Sequence, residues 1–309
     1  MRKVGPESGL GADAAGASPL STVVRVRSLL PSLPPAEARV AQRVIDDPEA
    51  VANSTITELA QACGTSETTV IRFCRAIGFS GYPELRLTLA TEAGRAQGVT
   101  GGRVVGSDIS ADDTLEQVVE KIAFADARAV EETANQLDIQ ALDEVVTAIV
   151  AARRVDVYGV GASAFVASDF QQKMHRIGRT SYAWSDAHIM LTSAAVLESS
   201  DVAVGISHTG STVETIDALS VAKRRGATTV ALTNFPRSPI ADVADLVLTT
   251  AARETTFRSG ATASRLAQLT VIDCVFVGIA QRTTGTREHL EATLEAVRVR
   301  RVRPERRRR

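Results

Sequence analysis

Ile206-Ser-His-Thr-Gly-Ser-Thr-Val-Glu214 ends an apolar run that begins at Val202 and opens a helical pattern. The run is short and β-branched, so it predicts a buried strand, and helical spacing starts directly after Thr212. Four hydroxyl side chains, Ser207, Thr209, Ser211 and Thr212, surround one glycine, Gly210, at this junction. A strand that turns into a helix N-terminus presents unpaired backbone N–H groups and the positive end of the helix dipole, which suits an anion. Hydroxyls without a lysine suit a small phosphate ester rather than a nucleoside triphosphate, and no Walker-A spacing occurs.

The same alternation extends to both sides. Short β-branched runs stand at Val155–Tyr158, Ser181–Trp184, Val202–Ile206, Thr228–Leu232 and Leu246–Thr249, with helical patterns between them and a last one from Ser264 to Gln281. This predicts an α/β domain with a five-stranded parallel sheet covered by helices on both faces. Ligands of such sheets sit at the carboxyl ends of the strands, near a topological switch. The run at Val155 leads into Gly159-Val-Gly-Ala-Ser163, a second loop at a strand end. As a dinucleotide fingerprint it is weak, because Ala164 stands at the third glycine position and the nearest acidic candidate, Asp186, comes late.

Upstream, residues 20–97 read as all-helical. Leu20 to Leu30 is apolar-periodic and stops at Pro31. Pro34-Pro35 starts a helix through Val40, Val44 and Ile45 that is expected to end near Pro48. Thr55-Ile-Thr-Glu58 is a capping-box pattern, and Ile56, Leu59, Ala60 and Cys63 share one helical face. Gly64 then supplies a positive φ, and Ser66 caps a helix from Glu67 to Ile77. Two helices joined by a short glycine-containing turn form a helix-turn-helix. In the second, Val70, Phe73, Cys74 and Ile77 face inward while Thr68, Arg72 and Arg75 cluster on the opposite side. An exposed Thr/Arg face suits the major groove, and Thr65, Ser66 and Thr69 are placed to touch backbone phosphates.

Ser66-Glu-Thr-Thr-Val-Ile-Arg-Phe-Cys-Arg-Ala-Ile-Gly-Phe-Ser-Gly-Tyr-Pro-Glu-Leu-Arg86 resembles the recognition helix and following turn of the RpiR/MurR family of bacterial regulators. The two loops, Gly159–Ser163 and Ser207–Thr212, resemble the SIS (sugar isomerase) domain over about residues 114–282, and Arg258–Leu269 is similar to its RpiR-type version. The resemblance implies an all-α helix-turn-helix domain followed by an α/β SIS domain. It implies that Gly161, Ser163, Ser207, Thr209, Gly210, Ser211 and Thr212 bind a sugar phosphate, with Glu254 accepting from sugar hydroxyls. The implied partners are a double-stranded DNA operator, a phosphorylated sugar effector and further copies of the chain in a homodimer or homotetramer. The implied activity is regulation of transcription, as a repressor, with no catalysis, cofactor or metal. The alternative from the residues is a sugar-phosphate isomerase or lyase, drawing an acid or base from Glu254, Glu214 or His208. His175 and His188 fall in helical patterns and read as structural.

Composition bounds the rest. The 309 residues are 44% hydrophobic and only 4% aromatic, which fits two domains of α and α/β type. No apolar run reaches bilayer length, so no membrane partner is expected. Three cysteines without a CxxC read as small core residues of a cytoplasmic protein. Residues 1–19, rich in Gly, Ala and Ser, read as disordered, and 98–113 as a glycine-rich linker. Residues 283–309 read as a basic tail. Net charge is −1, yet residues 298–309 hold eight Arg and one Glu. Such an end adds nonspecific phosphate affinity or none, so the case for DNA rests on the recognition helix.

Overall fold

A computed structural model describes residues 21–97, 109–254, 258 and 263–298. The readings for 1–19, for most of the linker and for the Arg-rich end lie outside the described residues. The N-terminal region is six α-helices: α1 (Thr22–Leu29), α2 (Pro35–Asp46), α3 (Pro48–Asn53), α4 (Ile56–Ala62), α5 (Glu67–Ala76) and α6 (Tyr82–Gln97). Pro48, expected to end a helix, instead starts α3. Proline is tolerated at the first helical position, and the Asp47 side chain accepts from Ala50 N at 3.0 Å to cap the new turn. The capping box at Thr55 and Glu58 is formed. Gly64 has φ +56°, and Thr65 N donates to Ala60 O at 2.9 Å, which closes α4 and aims α5. Val40, Val44, Leu59, Val70, Phe73, Cys74, Leu85 and Leu89 form one core. Burying each large member contributes about 1.5–3 kcal/mol.

The C-terminal region begins with α7 (Leu115–Gln136) and α8 (Ile139–Ala151). Thr114 caps α7, and the Asp113 carboxylate pairs with Lys121 at 2.7 Å. There follow β1 (Val155–Gly159), α9 (Ala162–Arg176), β2 (Ser181–Trp184), α10 (Ala187–Ala194), β3 (Val202–Ile206), α11 (Val213–Arg224), β4 (Thr228–Thr233), α12 (Pro239–Val243), β5 (Leu246–Thr249), α13 (Ser264–Arg282) and α14 (Thr286–Arg298). The five strands form one parallel sheet in the order β2-β1-β3-β4-β5. Side chains alternate across it. Val155, Val157, Val204, Ile206 and Leu232 pack on α8, α9 and α13, while Tyr158, Ala203 and Ala231 pack on α10, α11 and α12. The order reverses between β1 and β3, and pairing of Gly159 with Ile206 sets their carboxyl ends side by side. The two loops singled out in the sequence both leave the sheet at this switch.

Two expectations change here. Thr286–Arg298 of the expected tail is helix α14, because Leu290, Leu294 and Val297 fall at helical spacing and Leu290 packs on the core. Cys63 and Cys74 are buried as expected, but Cys274 is exposed on the outer face of α13, beside half-exposed Val277. Among the described residues, no helix is long and apolar enough to cross a membrane.

Candidate DNA-recognition face and sugar-phosphate site

The α4–α5 hairpin is held from behind. Arg39 of α2 donates through Nε to Cys63 O at 2.9 Å and through Nη2 to Gly64 O at 3.0 Å, fixing the turn. Tyr82 OH lies 2.9 Å from the carbonyl oxygens of both Val51 and Ser54, which share its single proton, and anchors the turn after α5. Val70, Phe73 and Cys74 of α5 are buried to 0% exposure, which turns Thr68, Arg72 and Arg75 outward. Among the described residues, the Arg72 and Arg75 guanidiniums meet no carboxylate, so both keep their donors for a partner. Two of the residues assigned to phosphate contact are engaged in the cap of α5. Thr69 is buried, and its hydroxyl lies 3.0 Å from Ser66 Oγ. The Ser66 hydroxyl accepts from Thr69 N at 3.2 Å as the N-cap of α5, although Ser66 itself remains exposed. Thr65 is half-buried in the turn.

At the sheet switch the hydroxyl loop is folded on itself. Ser207 Oγ lies 2.9 Å from Thr212 Oγ1 and accepts from Gly210 N at 3.1 Å. Thr209 Oγ1 accepts from Ser211 N at 3.2 Å, and both residues are exposed. Gly210 has φ +64°, and an added Cβ would collide with the Ser238 side chain, so the close approach of this backbone to Ser238 requires glycine. Thr212 is the N-cap of α11, yet no side chain caps that helix, so its first N–H groups keep their donor capacity. The loop after β1 places Gly161 at the N-cap of α9 and buries Ser163, whose Oγ donates to Gln268 Oε1 at 3.5 Å.

Glu254 lies beyond β5 and uses one oxygen, Oε1, to accept from Ser264 N at 2.9 Å, capping α13. Its other oxygen is buried and meets no partner among the described residues, as do His208 Nδ1, Ser264 Oγ and Gln268 Nε2. His208 is half-buried, edge-on to Phe235 with ring centroids 5.6 Å apart. Burial holds its imidazole below the ordinary histidine range, and the charge of Glu254 opposes that shift. Buried polar atoms without partners are destabilising, at about 1–3 kcal/mol each, so a concentration of them beside an anion-suited loop marks a place for a polar ligand.

A family model described as helix-turn-helix domain, rpiR family, matches residues 21–95, and one described as SIS domain matches residues 148–278. An uncharacterized HTH-type transcriptional regulator of Caldanaerobacter subterraneus subsp. tengcongensis is 39% identical over 278 residues, which span 90% of this chain and 97% of that protein. The chain belongs to the RpiR family of transcriptional regulators. HexR of Pseudomonas aeruginosa is 33% identical over 88% of this chain and 94% of its own length. RpiR of Escherichia coli is 30% identical over 79% of this chain and 81% of its own. A solved structure of Vibrio vulnificus NanR complexed with ManNAc-6P matches with a TM-score of 0.58 at 26% identity, over 91% of this chain and 100% of that one.

In the SIS domain the loops at Gly161–Ser163 and Ser207–Thr212 lie on adjacent strands, and Glu254 joins them through its neighbours. Gln268, Ser264 and Asn234 carry no sequence signal that marks them as site residues. Gln268 and Ser264 stand one turn apart on α13, a spacing that marks a shared face but not what that face meets. Asn234 N donates to His208 O at 3.0 Å while its Oδ1 accepts from Ala252 N at 2.7 Å, tying the hydroxyl loop to the segment that carries Glu254. Of the two histidines read as structural, His175 Nε2 lies 2.8 Å from Ser181 O and ties α9 to β2, whereas His188 is exposed in the first turn of α10.

Proposed function

We propose that this RpiR-family regulator binds an operator through Thr68, Arg72 and Arg75 of α5, and that a phosphorylated sugar in its SIS domain controls that binding. The phosphate is assigned to Ser163, Ser207, Thr209, Ser211 and Thr212 with the Gly161 and Gly210 backbones, and a sugar hydroxyl to Glu254 Oε2. The regulator acts as a repressor released by its ligand, and a symmetric homodimer or homotetramer presents paired α5 helices to a two-fold operator. The observation that carries the reading is the pairing of an exposed Thr/Arg face on α5 with a hydroxyl loop at the switch of a parallel sheet, beside buried polar atoms that lack partners among the described residues. The NanR complex adds support, since a protein of similar fold and length holds a sugar phosphate.

Calorimetry of the full chain against a panel of hexose and amino-sugar 6-phosphates tests the ligand, and an assay for turnover of the same compounds runs beside it. Saturable binding of a phosphorylated sugar, without binding of the unphosphorylated parent, is expected. Turnover without operator binding would favour the isomerase or lyase alternative, which draws an acid or base from Glu254, Glu214 or His208.

A further inference from the structure

The two candidate sites lie in different domains, and a run of buried contacts joins them. It starts in the hydroxyl loop, where the His208 carbonyl accepts from Asn234 N at 3.0 Å and from Thr233 Oγ1 at 3.2 Å. Asn234 is buried, and its Oδ1 accepts from Ala252 N at 2.7 Å and from Thr250 Oγ1 at 3.1 Å. Residues Thr250 to Glu254 are thereby pinned to the loop. Ala251 N in turn donates to Thr133 Oγ1 of α7 at 3.0 Å. Ala129 of α7 packs against Ala252 and Ala267, and Asp126 of α7 accepts from Arg258 Nη2 at 2.5 Å. Asp126, Ala129 and Thr133 follow helical spacing, so one face of α7 is fixed to the segment that carries Glu254. Glu132, the neighbour of Thr133, reaches the other domain. Its Oε2 lies 3.5 Å from Arg27 Nη1 on α1, and both side chains are less than one-fifth exposed.

This contact is electrostatically crowded. Glu132 also accepts from Arg128 Nη2 at 2.8 Å. Burial pushes the Arg27 guanidinium below its ordinary range, Glu132 opposes the shift, and the positive charges of Arg253 and Arg128 add to it. Arg27 Nε is buried without a partner among the described residues. Glu132 thus meets two guanidiniums, Arg27 and Arg128, in a place of reduced solvent screening, where a small displacement changes the balance appreciably. Arg253 is the residue next to Glu254, so movement of the segment that touches the ligand moves a charge felt at Arg27.

We infer that α7 couples the two sites: the Arg27–Glu132 pair ties the placement of the helix-turn-helix domain to residues 250–254, and a ligand engaging Glu254 shifts that pair and with it operator affinity. The inference rests on the proposed sugar-phosphate reading for its ligand, but not for the contact itself. A ligand shifts the balance only by its difference in affinity for the two arrangements.

The test uses the full chain with Arg27→Ala, Arg27→Lys, Glu132→Gln and the Arg27→Ala/Glu132→Gln double variant. The first arm needs no sugar and measures affinity for an operator fragment at fixed salt. Each charge-removing variant is expected to change affinity by about fivefold or more, the lower end of ordinary coupling, with the double variant no further displaced than the larger single one. Arg27→Lys, which keeps the charge and the fold, is expected to fall between wild type and Arg27→Ala. Single variants within about twofold of wild type, well under the ordinary range of coupling, would overturn the inference. The second arm uses ManNAc-6P and glucose 6-phosphate as probes, measuring direct binding and the ratio of operator affinities with and without the compound. The ratio is expected to approach one in Glu132→Gln while direct binding persists, and a ratio equal to wild type would overturn the coupling. If the wild-type chain binds neither these compounds nor any of the wider panel, the sugar reading fails, and the first arm alone decides whether the pair places the DNA-binding domain.

Discussion

The outer face of α5 and the switch of the SIS sheet treat polar groups in opposite ways. Arg72 and Arg75 stand in water, and their exposure leaves the fold undisturbed. Around the sheet switch, Ser207, Thr209 and Thr212 are bonded within their own loop, while Glu254 Oε2, Gln268 Nε2 and His208 Nδ1 are buried without partners among the described residues. On the proposed reading, nucleic acid would meet a face that is complete on one helix, because long cations find phosphates and base edges by extension. A small ligand needs groups converging from several segments, some desolvated in advance of binding. Damage to the first site should therefore be local, whereas damage to the second should spread into folding and pH response.

The largest effect should come from the second site. Ser207→Ala with Thr209→Val removes hydroxyls assigned to the phosphate, and bonds to a charged group contribute about 1.5–3 kcal/mol each. Calorimetry should show sugar-phosphate affinity reduced well over tenfold, with operator affinity in the absence of ligand retained; undiminished affinity would detach the loop from the ligand. Arg72→Ala comes next. Loss of one base-reading arginine costs about 1–3 kcal/mol, so operator affinity should fall roughly tenfold or more while the unfolding midpoint and sugar binding stay in place. Equal operator affinity would break the assignment of this face.

His208 gives a smaller effect. Burial lowers its folded-state pKa, with Glu254 opposing, so the unfolded chain binds the proton more readily. Stability should therefore fall as pH drops below about 6.5, the unfolded histidine value, towards the folded value. Denaturant titrations between about pH 7 and pH 5, which bracket that value, should show this fall flattened in His208→Gln; parallel profiles would mean that the buried ring does not titrate. The smallest effect belongs to the end of the chain. Residues 299–309 hold seven Arg and one Glu. Their removal should lower the salt slope of DNA binding by about 0.9 for each phosphate they neutralise, and an unchanged slope would mean that they touch none.

The contrast between the sites also explains what can be read from the chain. The α5 face is legible because burial of Val70, Phe73 and Cys74 and exposure of Thr68, Arg72 and Arg75 follow from one helical period. Thr69 is misleading for the same geometric reason: it lies only about 40° from Phe73 around the helix, on the border of the buried face. The sheet and its two loops are legible from β-branched runs bounded by glycine and hydroxyls. Helix α3 is hidden because proline at its first position looks like the end of a helix. Helix α14 is hidden because its arginine-rich continuation outweighs Leu290, Leu294 and Val297. The companions of Glu254 are not legible. Gln268 meets Ser163 across 105 residues and Ala251 meets Thr133 across 118, and no local period records such meetings.

One chain is proposed to join a DNA-reading face to a sugar-phosphate site. The most direct test titrates the full protein, at fixed salt, onto a fragment from the promoter region beside its own gene, with and without each member of the sugar-phosphate panel. Sequence-specific binding is expected, with an affinity changed several-fold by a phosphorylated sugar and not by its unphosphorylated parent. Specific binding that no sugar phosphate alters, in a protein that calorimetry shows to be saturated with one, would contradict it.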